Sequence, residues 1–328
     1  MGQTLVKQFP LPHTHTQPIY NESVTSTRTR AYLLLLIVSA IWGAAGPIIK
    51  YTLGYFDPIT FLTYRFFLTS LVLIPIWFFV EPHHHLTTLS SKDWVIIILS
   101  GLLGSTGNLL PLFYGFSLTT SLDGTVISSS SPIITALAGI YFLRERVTRR
   151  EQLGLLTAFL GSVIIVIQPF FKTGQIFTGS MAGNLLVLLS NFTWTAYVIL
   201  TKKGLRDNLS PLFLTTSMFF LGFLSLIPLF IIHNSLFISP LPVSAHLGVI
   251  YMALISGALA YFLYQKGQKS IEASEANLFS YLSPLFAFPL AYFWLHEPLT
   301  VYMLSGSAII ALGVGIASWK PHPLNLHQ

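Results

Sequence analysis

Long apolar stretches separated by brief polar breaks run along nearly all of the chain after residue 30. They cover 31–50, 58–80, 94–117, 122–143 and 150–169, then 180–201, 211–232, 245–265, 274–295 and 299–319. Each is close to the roughly 20 residues that an α-helix needs to cross a bilayer core. The short alternating strands of a membrane barrel do not occur. The pattern predicts an all-α integral membrane protein with ten transmembrane helices. The longest breaks, 81–93 and 233–244, leave no room for a separate soluble domain.

The pattern also repeats. One constant shift of 152 residues takes Trp42 to Trp194, Lys50 to Lys202, Gly115 to Gly267 and Asp123 to Glu275. It also takes Ser131-Pro132 to Ser283-Pro284, Glu145 to Glu297, Gly154 to Gly306 and Gly161 to Gly313. Residues 31–170 therefore form one five-helix unit and 180–319 a second, joined by a linker at 171–179. Two units with an odd number of spans cross the membrane in opposite senses, which gives two inverted repeats. That arrangement is typical of alternating-access transporters. The ends, 1–30 and 320–328, read as cytoplasmic tails, the first of them polar, broken by Pro10, Pro12 and Pro18, and disordered.

Composition agrees with a lipid-facing surface. Charged residues make up 9% of the chain and mean hydropathy is +0.69, against about 25% charged in a soluble domain. In such a protein the net charge of +6 reports orientation and not nucleic-acid binding. With the N-terminus inside, the inner segments collect Arg28, Arg30, Lys92, Arg144, Arg146, Arg149, Arg150, Lys202, Lys203, Arg206, Lys266, Lys269 and Lys320. The outer segments keep Lys50 and Lys172. The turn Arg144-Glu145-Arg146-Val147-Thr148-Arg149-Arg150 becomes His296-Glu297-Pro298-Leu299-Thr300 in the second copy, without its arginines. Both termini are thus expected in the cytoplasm. Cysteine is absent, which excludes disulfides and thiolate metal sites. The run His83-His84-His85 lies in a short loop, and no ATP-site or metalloprotease motif occurs, so no metal or cofactor is expected.

Several motifs in duplicate carry a family resemblance: Ala40-Ile41-Trp42-Gly43, Asp57-Pro58 with Tyr64-Arg65-Phe66, Ser131-Pro132, and Arg144-Glu145-Arg146-Val147. In the second copy they are Tyr281-Leu282-Ser283-Pro284 and Leu295-His296-Glu297-Pro298-Leu299. Over about residues 31–319 the chain resembles two EamA domains of the drug/metabolite transporter superfamily. The resemblance implies a ten-helix inverted-repeat fold in the plasma (inner) membrane. It also implies export or exchange of a small metabolite, an amino acid or related compound foremost. Arg65 falls opposite Ser217, so a site that uses it is asymmetric.

Arg65 is the charged residue well inside a predicted span, and ionisable groups there mark pathways or paired sites. Its planar fork suits a substrate carboxylate or phosphate, or else it snorkels or binds backbone carbonyls. Pro132 and Pro284 are expected to kink spans 4 and 9, freeing the carbonyls of Ser128 and Ser280 beside Ser131 and Tyr281. Trp42, Asn108, Asn191, Trp194, Tyr197, Tyr264 and Asn277 complete the polar and aromatic set expected to face the interior. Asp123 and Glu275 begin spans 4 and 9 as helix caps, with proton coupling the other reading. Lys50 and Lys202 are expected to snorkel from span ends, and Glu145 and Glu297 to shape turns. The glycine pairs Gly154/Gly161 and Gly306/Gly313 are expected to allow close contact within the chain or in a homodimer through spans 5 and 10.

The expected function is a secondary transporter, an exporter with its site between the copies. Spans 1–4 and 6–9 form the pathway, and spans 5 and 10 brace it. Uptake is the runner-up; a membrane enzyme or a non-transporting receptor are readings from other classes.

Overall fold

The computed structural model describes residues 19–81, 89–119, 127–167, 180–233, 241–293 and 300–319, and all regular structure among them is helical. The first half contains α1 (Ile19–Thr52), α2 (Pro58–Val80), α3 (Ser91–Gly104), α4 (Thr106–Leu118), α5 (Ser131–Leu143) and α6 (Arg149–Ile167). The second contains α7 (Met181–Arg206), α8 (Pro211–Ile232), α9 (Val243–Ser270), α10 (Ala273–Leu278), α11 (Ser283–Phe293) and α12 (Val301–Ser318). Among the described residues, seven segments are long and apolar enough to cross a membrane: α1 from Thr27, α2, the α3–α4 run, α7, α8, α9 and α12. Their outward sides carry bare apolar residues such as Leu71, Phe79, Ile232 and Leu312, as lipid exposure requires. The chain is an integral membrane protein.

Local chemistry sets the helix ends. Asp57 accepts from the amides of Ile59 and Thr60 while Pro58 opens α2, the preferred pairing of an N-cap with a proline in the first turn. Ser90 and Asp93 form a reciprocal capping box for α3. The third apolar stretch is not one smooth helix in either half. It breaks at Ser105 between α3 and α4, and α9 widens into a π-helix over Tyr251–Leu259.

The repeat survives as packing. α1 lies against α9 and α11, while α7 lies against α3, α4 and α5, so the first helix of each half packs into the other. Individual contacts exchange under the same 152-residue shift. A Cβ on Gly115 would meet Val187, and one on Gly267 would meet Leu35. Ser39 donates to the Phe279 carbonyl (2.7 Å), and its counterpart Asn191 donates to the Ile127 carbonyl (2.6 Å).

α6 and α12 form a seam of their own. A Cβ on Gly161 would lie 2.6 Å from the Gly306 carbonyl, and one on Gly154 would lie 2.5 Å from that of Gly313. The glycine faces therefore meet inside one chain. A second copy docking on these helices would meet their outward leucines, Leu153, Leu156, Leu160, Leu304 and Leu312.

Three expectations are corrected. Residues 19–30 are the first turns of α1, not a disordered tail, and Arg28 and Tyr32 on this helix are tied to Glu275. Spans 4 and 9 are not continuous: turns precede α5, and α10 passes through a 3-10 turn, Phe279–Leu282, into α11. Pro132 and Pro284 consequently start helices and do not kink them, in the first turn where a missing N–H costs nothing.

Candidate functional site

The shift that relates the two halves brings Trp42 and Trp194 face to edge, with ring centres 5.7 Å apart. One sits on α1 and the other on α7, and both are half-buried. Tyr261 and Tyr264, one turn apart on α9, close around them. Tyr261 is 5.4 Å from Trp42, and Tyr264 is 5.5 Å from each tryptophan. Tyr197 stands 5.2 Å from Trp194. These separations suit edge-to-face and tilted ring packing.

Hydrogen bonds orient the rings. The Trp42 indole donates to the Ser256 carbonyl within the π-helical stretch (3.2 Å). The Trp194 indole donates to Asn277 Oδ1 (3.0 Å), and the Asn277 amide donates to Thr135 Oγ1 (2.9 Å). Thr135 and Thr195 hydroxyls lie 3.1 Å apart. Tyr197 OH accepts from Gln265 Nε2 (2.6 Å). Two polar atoms in this wall, Tyr264 OH and Gln265 Oε1, are buried and meet no protein partner among the described residues. Buried polar atoms left this way call for water or a ligand.

The other expected site residues divide. Asn191 and Tyr281 hold the breaks before α5 and α11 together, donating to the carbonyls of Ile127 and Ser129. Thus, among the described residues, side chains serve the carbonyls of Ile127, Ser129 and Phe279 at these breaks, not those expected at Ser128 and Ser280. Ser128 and Ser131 are half-buried beside the break, and Ser280 donates to the Asn277 carbonyl. Asn108 lies outside the cluster, its amide bonded to the Ser190 carbonyl (2.7 Å) between α4 and α7. Asp123 and Glu297 lie outside the described residues.

Arg65 does not snorkel. It is 2% exposed, with its central carbon 6.0 Å from the Phe219 ring centre. Phe219 lies 5.3 Å from Tyr261, which places Arg65 one ring behind the tryptophan cluster.

A separate ionic group gathers around α10. Glu145, buried, accepts from the amides of Ala273 (2.6 Å) and Ser274 (3.1 Å) and from the Ser274 hydroxyl (3.0 Å). Glu145 therefore caps α10, a role expected of Glu275. Glu275 instead receives a two-pronged contact from Arg28 (2.7 and 3.2 Å) and the Tyr32 hydroxyl. Glu151, Glu272 and Glu275 bring one oxygen each within 4.8 Å of one another, and Arg28 supplies positive charge there. Lys202 is buried, not snorkelling. Its ammonium donates to the carbonyls of Gln268 (2.5 Å) and Ile271, completing the end of α9, where a cation suits the helix dipole.

Tyr261, Gln265 and Phe219 escaped sequence reasoning. Positions 261, 264, 265 and 268 share one helical face by their spacing, and that polar stripe on an apolar segment is the signal for Tyr261 and Gln265, while Phe219 in its apolar run has none.

Comparisons with known proteins agree with this architecture. The model of the EamA-like transporter family matches twice, over residues 29–167 and 181–319. An uncharacterized transporter of Bacillus subtilis (strain 168), YyaM, is 29% identical over 288 residues, covering 88% of this chain and 93% of the relative. An uncharacterized transporter of Archaeoglobus fulgidus is 26% identical over 300 residues, covering 90% of this chain and 99% of its own. A crystal structure with a TM-score of 0.70 and 17% identity covers 89% of this chain and 98% of its own, and so shares the fold.

Proposed function

The chain belongs to the EamA-like transporter family, and on that premise we propose that it is a secondary transporter exporting a small metabolite by alternating access. The site lies between the two halves, at Trp42 and Trp194. Ten crossings in two inverted repeats, with both termini in the cytoplasm, are part of the same reading.

One observation carries it: the two tryptophans equivalent under the repeat meet each other at the junction of the halves. A site on the relation that exchanges two halves can face either side as they rock, at equal cost in contacts. The rings offer flat apolar faces, while Tyr264 OH and Gln265 Oε1 offer a donor and an acceptor. That mixture is the usual lining of a small-molecule site. An amino acid or a related compound is the cargo this reading names first.

The test compares metabolites outside cells that make the wild type, Trp194→Leu or Trp42→Leu at equal abundance in the membrane. The wild type is expected to accumulate one compound or class outside, and each variant to lower it about ten-fold, the loss of one good ring contact. Equal accumulation in all three would remove the site from between the tryptophans. Depletion from the medium would reverse the direction to uptake.

A further inference from the structure

The nature of the cargo can be narrowed, on the reading that the tryptophan cluster is the transport site. A guanidinium stays protonated at every physiological pH, and burying such a charge is expensive unless an anion or several acceptors meet it. Arg65 is buried, and among the described residues no carboxylate pairs with it and its Nε meets no acceptor. The Phe219 ring, at 6.0 Å, is at the limit of cation–π range and does not replace an anion. Among the described residues, the buried carboxylates are engaged elsewhere: Glu145 with the start of α10, Glu275 with Arg28, Glu151 with the Thr148 amide. The other buried cation among the described residues, Lys202, is occupied by the carbonyls that end α9.

We propose that the missing anion is carried by the substrate: a single carboxylate that takes the Arg65 fork, on a compound whose apolar body packs against Tyr261 and Trp42. Ring centres step from Arg65 to Phe219 (6.0 Å), from Phe219 to Tyr261 (5.3 Å) and from Tyr261 to Trp42 (5.4 Å), so the guanidinium adjoins the same ring wall as the tryptophans. The charge count selects one negative group. A phosphate ester near two negative charges would need a second cation, and Lys202 stands with the carboxylates around α10. A guanidinium fork is matched to a carboxylate in two parallel hydrogen bonds.

The experiment follows thermal unfolding of the purified full chain in lipid nanodiscs with matched probe pairs: benzoate and benzamide, phenylpropionate and phenylpropionamide, hexanoate and hexanamide, with phenyl phosphate added. Carboxylates are expected to raise the melting temperature more than their amides and more than phenyl phosphate. Arg65→Met, without ligand, is expected to melt no lower than the wild type and to lose the preference. Arg65→Lys keeps the charge but not the fork, and is expected to bind carboxylates about ten-fold more weakly. Equal shifts within every pair overturn the proposal, as does a preference for phenyl phosphate or one that persists in Arg65→Met. Should the methionine variant not fold, the wild-type pairs and Arg65→Lys decide. Export that needs Trp42 and Trp194 but carries a metabolite without a carboxylate overturns the carboxylate and leaves the site. A carboxylate preference without any flux leaves the anion site and overturns transport.

Discussion

Glu145→Ala is the most informative change away from the tryptophans. The carboxylate accepts three hydrogen bonds at the start of α10, from two backbone amides at 2.6 and 3.1 Å and one hydroxyl at 3.0 Å. Ala273 and Ser274 are themselves buried, at 0% and 3% exposure, so water does not readily take over. Each buried donor left unmet costs about 1–3 kcal/mol, so losing the two amide bonds costs about 2–6 kcal/mol. The hydroxyl can turn to another acceptor, and Arg206, at 3.8 Å and 45% exposed, adds little. Glu145→Gln keeps one carbonyl-type acceptor and is expected to lose about 1–2 kcal/mol. The assay is reversible unfolding in mixed micelles with increasing dodecyl sulfate. The consequence should reach the site, because Asn277 on the same short helix holds the Trp194 indole. Flux is therefore expected to fall together with stability. An alanine variant within about 0.5 kcal/mol of the wild type would refute the capping role.

Further outcomes concern the ends and the seam of the molecule. Glu275→Gln is expected to lower protection of amide hydrogens around Arg28–Leu35 in hydrogen exchange, and exchanging the two charges (Arg28→Glu with Glu275→Arg) to restore part of it. An unchanged exchange pattern in Glu275→Gln would mean that this ion pair does not hold α1. Gly161→Leu places a Cβ 2.6 Å from the Gly306 carbonyl and is expected to destabilise by about 3 kcal/mol or more. Gly46→Ala, with open space around it, should be neutral or stabilising by up to about 1 kcal/mol. Equal effects from the two would contradict the seam.

Much of the architecture is written in the residues, and the reasons for the rest are specific. The shift from Trp42 to Trp194 is legible because both copies kept the residue, and the two rings do meet. Tyr261, Gln265 and Gln268 have Leu109, Phe113 and Phe116 as counterparts, so the repeat gives no hint of them. Lys202 was expected to reach for solvent because it falls near the end of an apolar run. α7 continues to Arg206, so the lysine lies inside the packed helices and finds the carbonyls left open at the end of α9. The prolines at 132 and 284 signal a break in either reading, and only the preceding backbone distinguishes a kinked helix from a fresh start. Arg28 lies in a polar stretch without apolar periodicity, and its partner Glu275 is 247 residues away, a contact that no local pattern encodes.

The central claim is that a site between the halves opens alternately to the two sides. The chain has no cysteine, so Thr195→Cys, beside Trp194 and 5% exposed, gives a single reporter without further changes. The measurement is its rate of reaction with a membrane-impermeant maleimide applied to one side or the other of sealed, oriented vesicles. Alternating access predicts slow labelling from each side and a shift between the two rates when a transported compound is added. Labelling confined to one side under all conditions, with flux intact, would contradict it.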